Sequence, residues 1–518
     1  MSKIIETMQT AIPPDEHGKA NDQSLQTRAV KGAGVSVFAQ LMSFAIQTAS
    51  VVVLARLLSP KDYGLVTMVT AFSMLLMNVS VNGFPEFIIQ KKTISHTELT
   101  SVFWFNVIIS LFLTIGFVAA GPLLTSFYGN PEINILAAAL SVSIILQAIS
   151  TTHIALLNRS MEYSKVAVNQ LASDFISVVF AILLALMGYG YWAIVGRQLM
   201  SPFIMAIGGW TLCRWRPGKP GQSEFAFDSV RFALRVYGNF AVGYLGRNLD
   251  KVLLGRYHGS AALGNYDRAY YLSSMPATQL VTPLHNVALA TLSRMRDDAE
   301  RFTRYYLSAI STIGYLGVLA GLVLTLSGKE IIYIVLGPGW EEAGRVVTAF
   351  GPGVGAMIIY ATHSWIHLSL AKPERWLRWS IAACILTVIL FVLAAPRGPV
   401  VLATAYSLSY YVLLVPAIWY AGRPIGLKLD RIFSAIWHYF AAAVVTWLIL
   451  AGFHVYSPDT ASYFESLHPA ERLGAIIPLT SAIYVLLVAS LQRNLSSIRN
   501  LVFYARTMLS KGKKNELV

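Results

Sequence analysis

The chain contains fourteen apolar stretches, each close to the roughly 20 residues that an α-helix needs to cross the hydrocarbon core of a bilayer. They begin near Gly34, Gly64, Thr100, Ile133, Val166, Tyr191, Val236, Gly264, Tyr305, Ala343, Trp379, Val400, Ile432 and Leu473. With 55% hydrophobic residues, 13% charged residues and a mean hydropathy of +0.57, a soluble protein could not bury this much apolar surface. The sequence therefore predicts an all-α integral membrane protein with about 14 transmembrane helices.

The apolar stretches group as six, six and two. Residues 32–213 are predicted to form a first lobe of six helices, and residues 231–422 a second. A cytoplasmic linker, 214–230, joins them. Residues 1–31 mix prolines and charges without apolar periodicity, which predicts a disordered cytoplasmic tail. Residues 423–518 are predicted to hold the last two helices and a basic cytoplasmic tail.

An internal repeat relates the two lobes. A shift of 200 residues without gaps aligns identical residues, namely Leu54, Arg56, Gly64 and Ser73 with Leu254, Arg256, Gly264 and Ser273. Because the shift spans six helices, both copies run in the same direction through the membrane. The repeat predicts two lobes around a central cavity, which is a frequent plan in transporters.

The distribution of Lys and Arg predicts the topology. When both termini are placed in the cytoplasm, most of the 40 basic residues fall in cytoplasmic loops, as the positive-inside rule requires. The few on the outer side are Arg56, Lys61, Arg256, Lys329, Arg345, Arg397 and Arg472. Topology thus accounts for the net charge of +14 without a nucleic-acid partner. The two cysteines, Cys213 and Cys384, are isolated, so neither a disulfide nor a metal site is expected. No cofactor is expected either.

Three charges interrupt the seventh predicted helix near its middle. Arg247, Asp250 and Lys251 have the i, i+3, i+4 spacing that places residues on one helix face. A charge at the bilayer centre costs about 2.5 to 3.5 kcal/mol on insertion scales, so such residues usually face protein or a wet cavity. One interpretation is a functional cavity. The other is an ion pair of Asp250 with Arg247 or Lys251 that only locks this helix to a neighbour.

Other polar groups lie within predicted helices. The fifth helix has a stripe of polar residues on one face, Asn169, Gln170, Ser173, Asp174 and Ser177. It fits equally a contact between helices and the lining of a cavity. Arg197 lies about two turns into the sixth helix. The eighth helix opens near Asp267 and Arg268, where an acid suits the macrodipole, so a structural role is expected for Asp267.

Three segments together resemble a known family, and they occur in that family's order: LARLLSPKDYGLVTM, NLDKVLLGRYHG and YDRAYYLSSMPATQLVTPL. The sequence is similar to the Wzx-like lipid-linked oligosaccharide flippases of the multidrug/oligosaccharidyl-lipid/polysaccharide exporter superfamily, in the exopolysaccharide, colanic-acid and succinoglycan branch. The resemblance implies two lobes that move a sugar headgroup between leaflets of the bacterial inner membrane by alternating access. Residues that match the motif of the seventh helix are Asn248, Asp250, Lys251, Gly255 and Arg256.

The resemblance implies a polyprenyl-diphosphate-linked oligosaccharide as substrate, held at a cationic cavity, with membrane lipid and glycan polymerase or export components as further partners. The residues expected to bind the substrate are Arg247, Lys251, Arg197, Arg268, Tyr244 and Tyr270. Asp250 and Asp174 are the residues expected to couple transport to an ion. No catalytic role is expected for the chain.

Two alternatives remain open at this point. An ion-coupled drug or cation antiporter of the same fold would favour an acid in the cavity helices of the first lobe, and the first helix, Gly34–Leu58, contains none. A membrane polymerase or ligase would need a catalytic group on a large outer loop. The longest such loop, Phe453–Arg472, has acids and histidines in no recognisable catalytic arrangement. No cytoplasmic segment has a phosphate-binding glycine loop, so a gradient is expected to drive transport.

Overall fold

The computed structural model describes residues 20–81, 83–91, 93–219, 225–456, 464 and 466–492. This part of the chain is helical and contains no strand. The helices are α1 (Ala20–Leu57), α2 (Pro60–Val81), α3 (Phe84–Gln90), α4 (His96–Tyr128), α5 (Glu132–Arg159), α6 (Tyr163–Leu186), α7 (Trp192–Leu212), α8 (Phe225–Arg294), α9 (Ala299–Leu336), α10 (Glu341–Ala361), α11 (His363–Ser369), α12 (Pro373–Ala394), α13 (Pro399–Gly422), α14 (Leu429–Tyr456) and α15 (Pro469–Gln492). Most of the two predicted tails, and Asp459 and Glu465 of the predicted outer loop, lie outside the described residues.

The predicted membrane fold is confirmed. Within the described ranges, 11 helical stretches are long and apolar enough to cross a membrane, and each contains one of the predicted starts. The three remaining predicted helices correspond to α7, which carries Arg197, and to the two halves of α8. Polar and charged residues lower the hydropathy of these segments, which is why length and sequence periodicity identify them better than hydropathy alone.

The turns that separate these helices follow from local sequence. At the start of α2, the Ser59 backbone amide donates to Asp62 Oδ2 over 2.9 Å, and the Asp62 amide donates back to Ser59 Oγ over 3.3 Å. This capping arrangement, with Pro60 as the first helical residue, satisfies donors at the helix end that have no partner within the helix. Inside α8, Gly259 has φ 78°, a value that glycine adopts without strain, and it divides the helix into two halves.

The chain divides into two compact units. The first contains the described residues of Met1–Val51, Ser73–Ala120 and Ala137–Gly238. Its core includes Phe103, which makes edge-on ring contacts with His153 and Trp215. This aromatic packing holds α4 against α5 and the segment that follows α7.

The second unit contains the described residues of Val52–Phe72, Gly121–Leu136 and Asn239–Val518. It therefore includes two hairpin ends that the sequence assigns to the first lobe, and the predicted lobe boundaries stay a prediction. Part of its core is a tyrosine cluster, in which the Tyr484 hydroxyl donates to the Tyr315 carbonyl over 3.1 Å and Tyr439 packs against Tyr315. This cluster joins α14 and α15 to α9.

Equivalent residues of the two repeat copies contact each other within the second unit. A Cβ atom on Gly64 would overlap the Ser260 carbonyl oxygen, and one on Gly264 would overlap the Pro60 carbonyl oxygen. A shift of 200 residues carries the first contact onto the second, so the contact is reciprocal, as a two-fold relation between the copies produces. Only glycine permits backbones to approach this closely. We call these four residues, together with Arg56 and Arg256, the repeat junction.

The two arginines of the repeat junction extend the reciprocal pattern. A terminal nitrogen of Arg56 donates to the Ile334 carbonyl at the end of α9 over 2.6 Å. The guanidinium of Arg256 lies 5.8 Å from the ring centroid of Phe127, at the end of α4. Each arginine thus contacts a helix that the sequence assigns to the other lobe. The topology predicted from loop charges, which stays a prediction, places this end of the helices on the outer side of the membrane.

Candidate functional site

The candidate site is built on the two halves of α8, on either side of Gly259. Because the chain reverses there, the segment around Asp250 and Lys251 lies beside the segment around Tyr266 and Asp267. The hairpin therefore brings together charges that are 16 residues apart in sequence. All of these residues belong to the second compact unit.

Asp267 is the acid that pairs with the cations of this site. Lys251 Nζ lies 2.8 Å from Asp267 Oδ1, and a terminal nitrogen of Arg268 lies 2.6 Å from Oδ2. The side chain of Asp267 is only 9% exposed. Both of its oxygens are thus occupied by a cation, which offsets the cost of burying the three charges.

Asp250 is fully buried and has different partners. The Tyr266 hydroxyl donates to Asp250 Oδ2 over 2.8 Å, and the Lys251 backbone amide donates to Oδ1 over 2.8 Å. The alternative interpretation, an ion pair of Asp250 with Arg247 or Lys251, was wrong within the described residues, because Asp267 holds the Lys251 ammonium instead. We refer to Asp250, Lys251, Tyr266, Asp267 and Arg268 as the ion cluster.

Aromatic rings surround the cations of the ion cluster. Lys251 Nζ lies 5.5 Å from the ring centroid of Tyr270, and the Arg268 guanidinium lies 4.7 Å from that of Tyr63. Cations over aromatic faces at these distances are attracted by the ring quadrupole. The Tyr270 ring also stacks on Tyr406 with centroids 5.9 Å apart. The cavity beside Tyr270 measures about 10 Å³, so in this arrangement it is too small for a sugar.

Arg247 and Tyr244 lie on the same half of α8. Arg247 is exposed, and its Nε donates to the Gly243 carbonyl over 3.0 Å. It therefore does not share the buried environment of Asp250, although helical spacing places both on one face. The Tyr244 hydroxyl donates to the Ala71 carbonyl over 3.0 Å, which links α8 to α2.

Asp174 and Arg197, the remaining predicted site residues, belong to the first compact unit. Asp174 is buried, and one of its oxygens accepts from Gln170 over 3.2 Å. Its other oxygen has no hydrogen-bond partner within the described residues. Elsewhere in the stripe, the Ser173 hydroxyl donates to the Ser201 carbonyl over 2.7 Å. That part of the stripe forms a contact between α6 and α7.

Sequence reasoning missed two members of the ion cluster. Tyr266 was not considered, and Asp267 was expected only to suit a helix end. The sequence carries a usable signal, because Asp267 and Arg268 are a second group of charges within an apolar region and intramembrane charges pair with one another. The structure brings together four of the predicted site residues, namely Lys251, Arg268, Tyr270 and Asp250.

The all-helical fold, with 11 stretches long and apolar enough to cross a membrane in the described part of the chain, defines a multi-pass membrane protein. The fold is similar to that of lipid II flippase MurJ in an inward closed conformation, with a TM-score of 0.69, 13% identity, and coverage of 90% of this chain and 99% of that one. It is also similar to an inward-facing multidrug resistance MATE family transporter, with a TM-score of 0.60, 13% identity and coverage of 77% and 99%.

The chain belongs to the family described as polysaccharide biosynthesis protein, which it matches over residues 53–345. Among its relatives, the succinoglycan biosynthesis transport protein ExoT of Rhizobium meliloti is 26% identical over 61% of this chain and 64% of the relative. The lipopolysaccharide biosynthesis protein WzxC of Escherichia coli is 25% identical over 62% and 65%. The chain therefore matches somewhat less than two thirds of the length of either relative. The resemblance recognised in the sequence is confirmed.

Proposed function

We propose that this protein is a flippase that moves polyprenyl-diphosphate-linked oligosaccharides across the bacterial inner membrane for exopolysaccharide or lipopolysaccharide synthesis. The observation that carries the proposal is the ion cluster, which holds Lys251 and Arg268 on Asp267 within the helical hairpin of α8, in a membrane protein from this family. An anionic diphosphate that crosses a region of low dielectric needs cations that replace its counter-ions. The relative ExoT, a succinoglycan biosynthesis transport protein, supports a role in transport for polysaccharide synthesis.

In this proposal, the anionic headgroup competes with Asp267 for Lys251 and Arg268. Arg247, which is exposed, makes the first contact, and Tyr244 and Tyr270 extend the binding site. Arg197, which belongs to the first compact unit, is a further proposed contact for the substrate. The tyrosines contribute hydroxyl groups and ring faces that suit sugars as well as cations.

Asp250 and Asp174 are the proposed ion-coupling residues. Asp250 is buried against the neutral hydroxyl of Tyr266, whereas both oxygens of Asp267 are held by cations. Uptake of a proton by Asp250 changes the charge of the ion cluster by one unit, and this change gives the headgroup a stronger net attraction to the cations. Asp174 is proposed as a second coupling site, because one of its buried oxygens has no hydrogen-bond partner in the described part of the chain.

Removal of the protein is expected to cause a lipid-linked oligosaccharide to accumulate in the cytoplasmic leaflet. The measurements are mass spectrometry of the polyprenyl-diphosphate lipids from cells with and without the protein, the accessibility of those lipids to a membrane-impermeant reagent added outside, and the amount of exported polysaccharide. Accumulation of the intermediate with loss of polymer supports the flippase. A drug antiporter would leave both unchanged, and a polymerase would leave single repeat units in the outer leaflet, so either result would reject the proposal.

Replacing Arg247 with Gln is expected to lower polysaccharide export by about tenfold, equivalent to about 1.4 kcal/mol of lost headgroup interaction. The protein is expected to unfold at the same temperature, because Arg247 is exposed and has no carboxylate within ion-pair distance in the described residues. The conservative variant Arg247→Lys keeps the charge and should retain most export. Export is measured as polymer per unit of membrane-inserted protein.

The matched control for this prediction is Arg304→Gln, since Arg304 is also an exposed arginine on a helix of the second unit. It should export normally. If Arg247→Gln exports as well as Arg304→Gln at equal expression, Arg247 does not bind the headgroup.

A further inference from the structure

A second cavity, separate from the ion cluster, opens near the ends of α9, α10 and α15. Its volume is about 470 Å³, within the range of about 300 to 1,000 Å³ that is typical of small-molecule sites. The polar side chains that line it are Lys329, Glu330, Tyr333, Glu341, Arg345 and Arg472. The loop charges assign this end of the helices to the outer side of the membrane.

Three cations from three helices converge on this cavity, and two of them lack a carboxylate partner. Arg472 pairs with Glu330 at 3.4 Å. Lys329 and Arg345 are exposed, and within the described ranges no carboxylate lies within 4 Å of either one. An acidic group that enters the cavity could therefore bind both cations without breaking an existing ion pair. The cavity thus has the charge to bind an anion.

The remaining lining residues indicate what kind of anion fits. Glu330 and Glu341 line the same cavity, and the carboxylate of Glu341 already accepts from the Gly339 amide over 3.0 Å. A bare phosphate would face repulsion from these acids, whereas a sugar carries hydroxyl donors that carboxylates accept. Tyr333 is 42% exposed on the cavity wall, and its ring offers an apolar face to a pyranose.

We propose that this cavity binds an acidic sugar residue, such as a hexuronate, of the glycan after it reaches the outer side. Lys329 and Arg345 hold the sugar carboxylate, while Glu330 and Glu341 accept its hydroxyl groups and Tyr333 packs against the ring. The inference rests on the proposed function for the direction of transport and for the glycan as ligand. It adds a binding site on the product side and a substrate class, an oligosaccharide that contains a carboxylated sugar.

Binding of soluble sugars to the purified full-length protein in detergent tests the proposal. Saturation-transfer NMR and titration calorimetry are performed with sodium D-glucuronate, D-glucose and inorganic phosphate. Glucuronate is expected to bind at least about tenfold more tightly than either of the others, because only glucuronate satisfies the cations and the hydroxyl acceptors together. Equal affinity for phosphate and glucuronate would show a site that recognises charge alone, and this result would overturn the proposal.

Variants locate the binding in the cavity. The double variant Lys329→Gln and Arg345→Gln should weaken glucuronate binding by about tenfold or more, the loss expected for removing charged partners of a carboxylate. Arg397→Gln is the matched control, since Arg397 is an exposed arginine on the predicted outer side that does not line the cavity. Equal glucuronate binding by the double variant and the control would place the sugar elsewhere.

A lipid headgroup is the competing occupant, and nanodiscs distinguish it from a sugar. Glucuronate affinity should be the same in phosphatidylcholine nanodiscs and in nanodiscs with added phosphatidylglycerol. A loss of glucuronate binding with phosphatidylglycerol would mean that the lipid phosphate fills the cavity, which contradicts the proposal. None of these measurements requires transport, so a failed flippase assay and a failed sugar-binding assay are separate results.

Discussion

Replacing either Gly64 or Gly264 with alanine is expected to reduce polysaccharide export by at least about tenfold. The added Cβ would overlap a carbonyl oxygen of the other repeat copy, and overpacking of this kind typically costs about 1 to 3 kcal/mol. The cost is specific to the arrangement in which the repeat junction is closed. The population therefore shifts away from that arrangement, which the proposed flippase needs for export. Because the contact is reciprocal, the two single variants should behave alike.

The closed junction can be measured directly with a cysteine probe. Ala55 is 2% exposed, and its carbonyl accepts from the Trp340 indole over 3.0 Å. An Ala55→Cys probe in a chain without Cys213 and Cys384 should be protected from a membrane-impermeant maleimide. Protection should be lost when Gly64→Ala is added.

The control for the junction variants is Gly116→Ala. Gly116 lies within α4, and an added Cβ there would meet no atom within 4 Å. This variant should export normally and leave the probe protected. Normal export by Gly64→Ala with the probe no longer protected would show that closure of the repeat junction is not needed for transport. A probe that stays protected in Gly64→Ala would contradict the predicted overlap at the junction.

Replacing Asp267 with Asn is expected to destabilise the protein and to stop export. The change leaves Lys251 and Arg268, which are 17% and 19% exposed, without their shared carboxylate, and removing one partner of a buried ion pair typically costs about 3 to 5 kcal/mol. The expected result is a lower midpoint of thermal unfolding and less protein in the membrane. Unfolding is followed by tryptophan fluorescence of the purified protein in detergent.

Asp297→Asn is the matched control for Asp267→Asn. Asp297 is 95% exposed and lies 3.7 Å from Arg296, so water already solvates the pair and its loss should leave the midpoint unchanged. A normal midpoint for Asp267→Asn would contradict the pairing described for the ion cluster. If Asp267→Asn inserts in the membrane but does not export, the carboxylate acts in transport as well as in folding.

Much of the fold could be predicted because membrane-spanning helices depend on properties that a sequence displays directly. Apolar length identifies the crossing segments, and Pro60 and Gly259 mark reversals in the chain. The shift of 200 residues also paired Gly64 with Gly264 as equivalent positions. It did not predict that each glycine contacts the other copy, since equivalence in a repeat does not say which surfaces meet.

The candidate site was harder to predict, because its contacts cross from one half of a hairpin to the other. Helical spacing relates Asp250 to Arg247 and Lys251, but it contains no information about Tyr266 or Asp267. Helical spacing also placed Arg247 and Asp250 on one face of the helix. In the structure Asp250 is buried and Arg247 is exposed, because neighbouring segments cover only part of that face. The partner of a buried charge therefore depends on tertiary structure that no local pattern encodes.

The reciprocal contact of the repeat junction has the geometry of an isologous dimer interface inside one polypeptide. Gly64 meets Ser260 and Gly264 meets Pro60, as residues i and j do when two identical subunits associate around a dyad. Two separate half-length chains could make this contact with a single surface. In one fused chain, the sequence of each copy can differ from that of the other. The second copy has Arg247, Asp250 and Lys251 where the first has Gln47, Ser50 and Val51. The two copies thus keep the two-fold contact at the repeat junction, while only the second copy carries charges at this position of the helix.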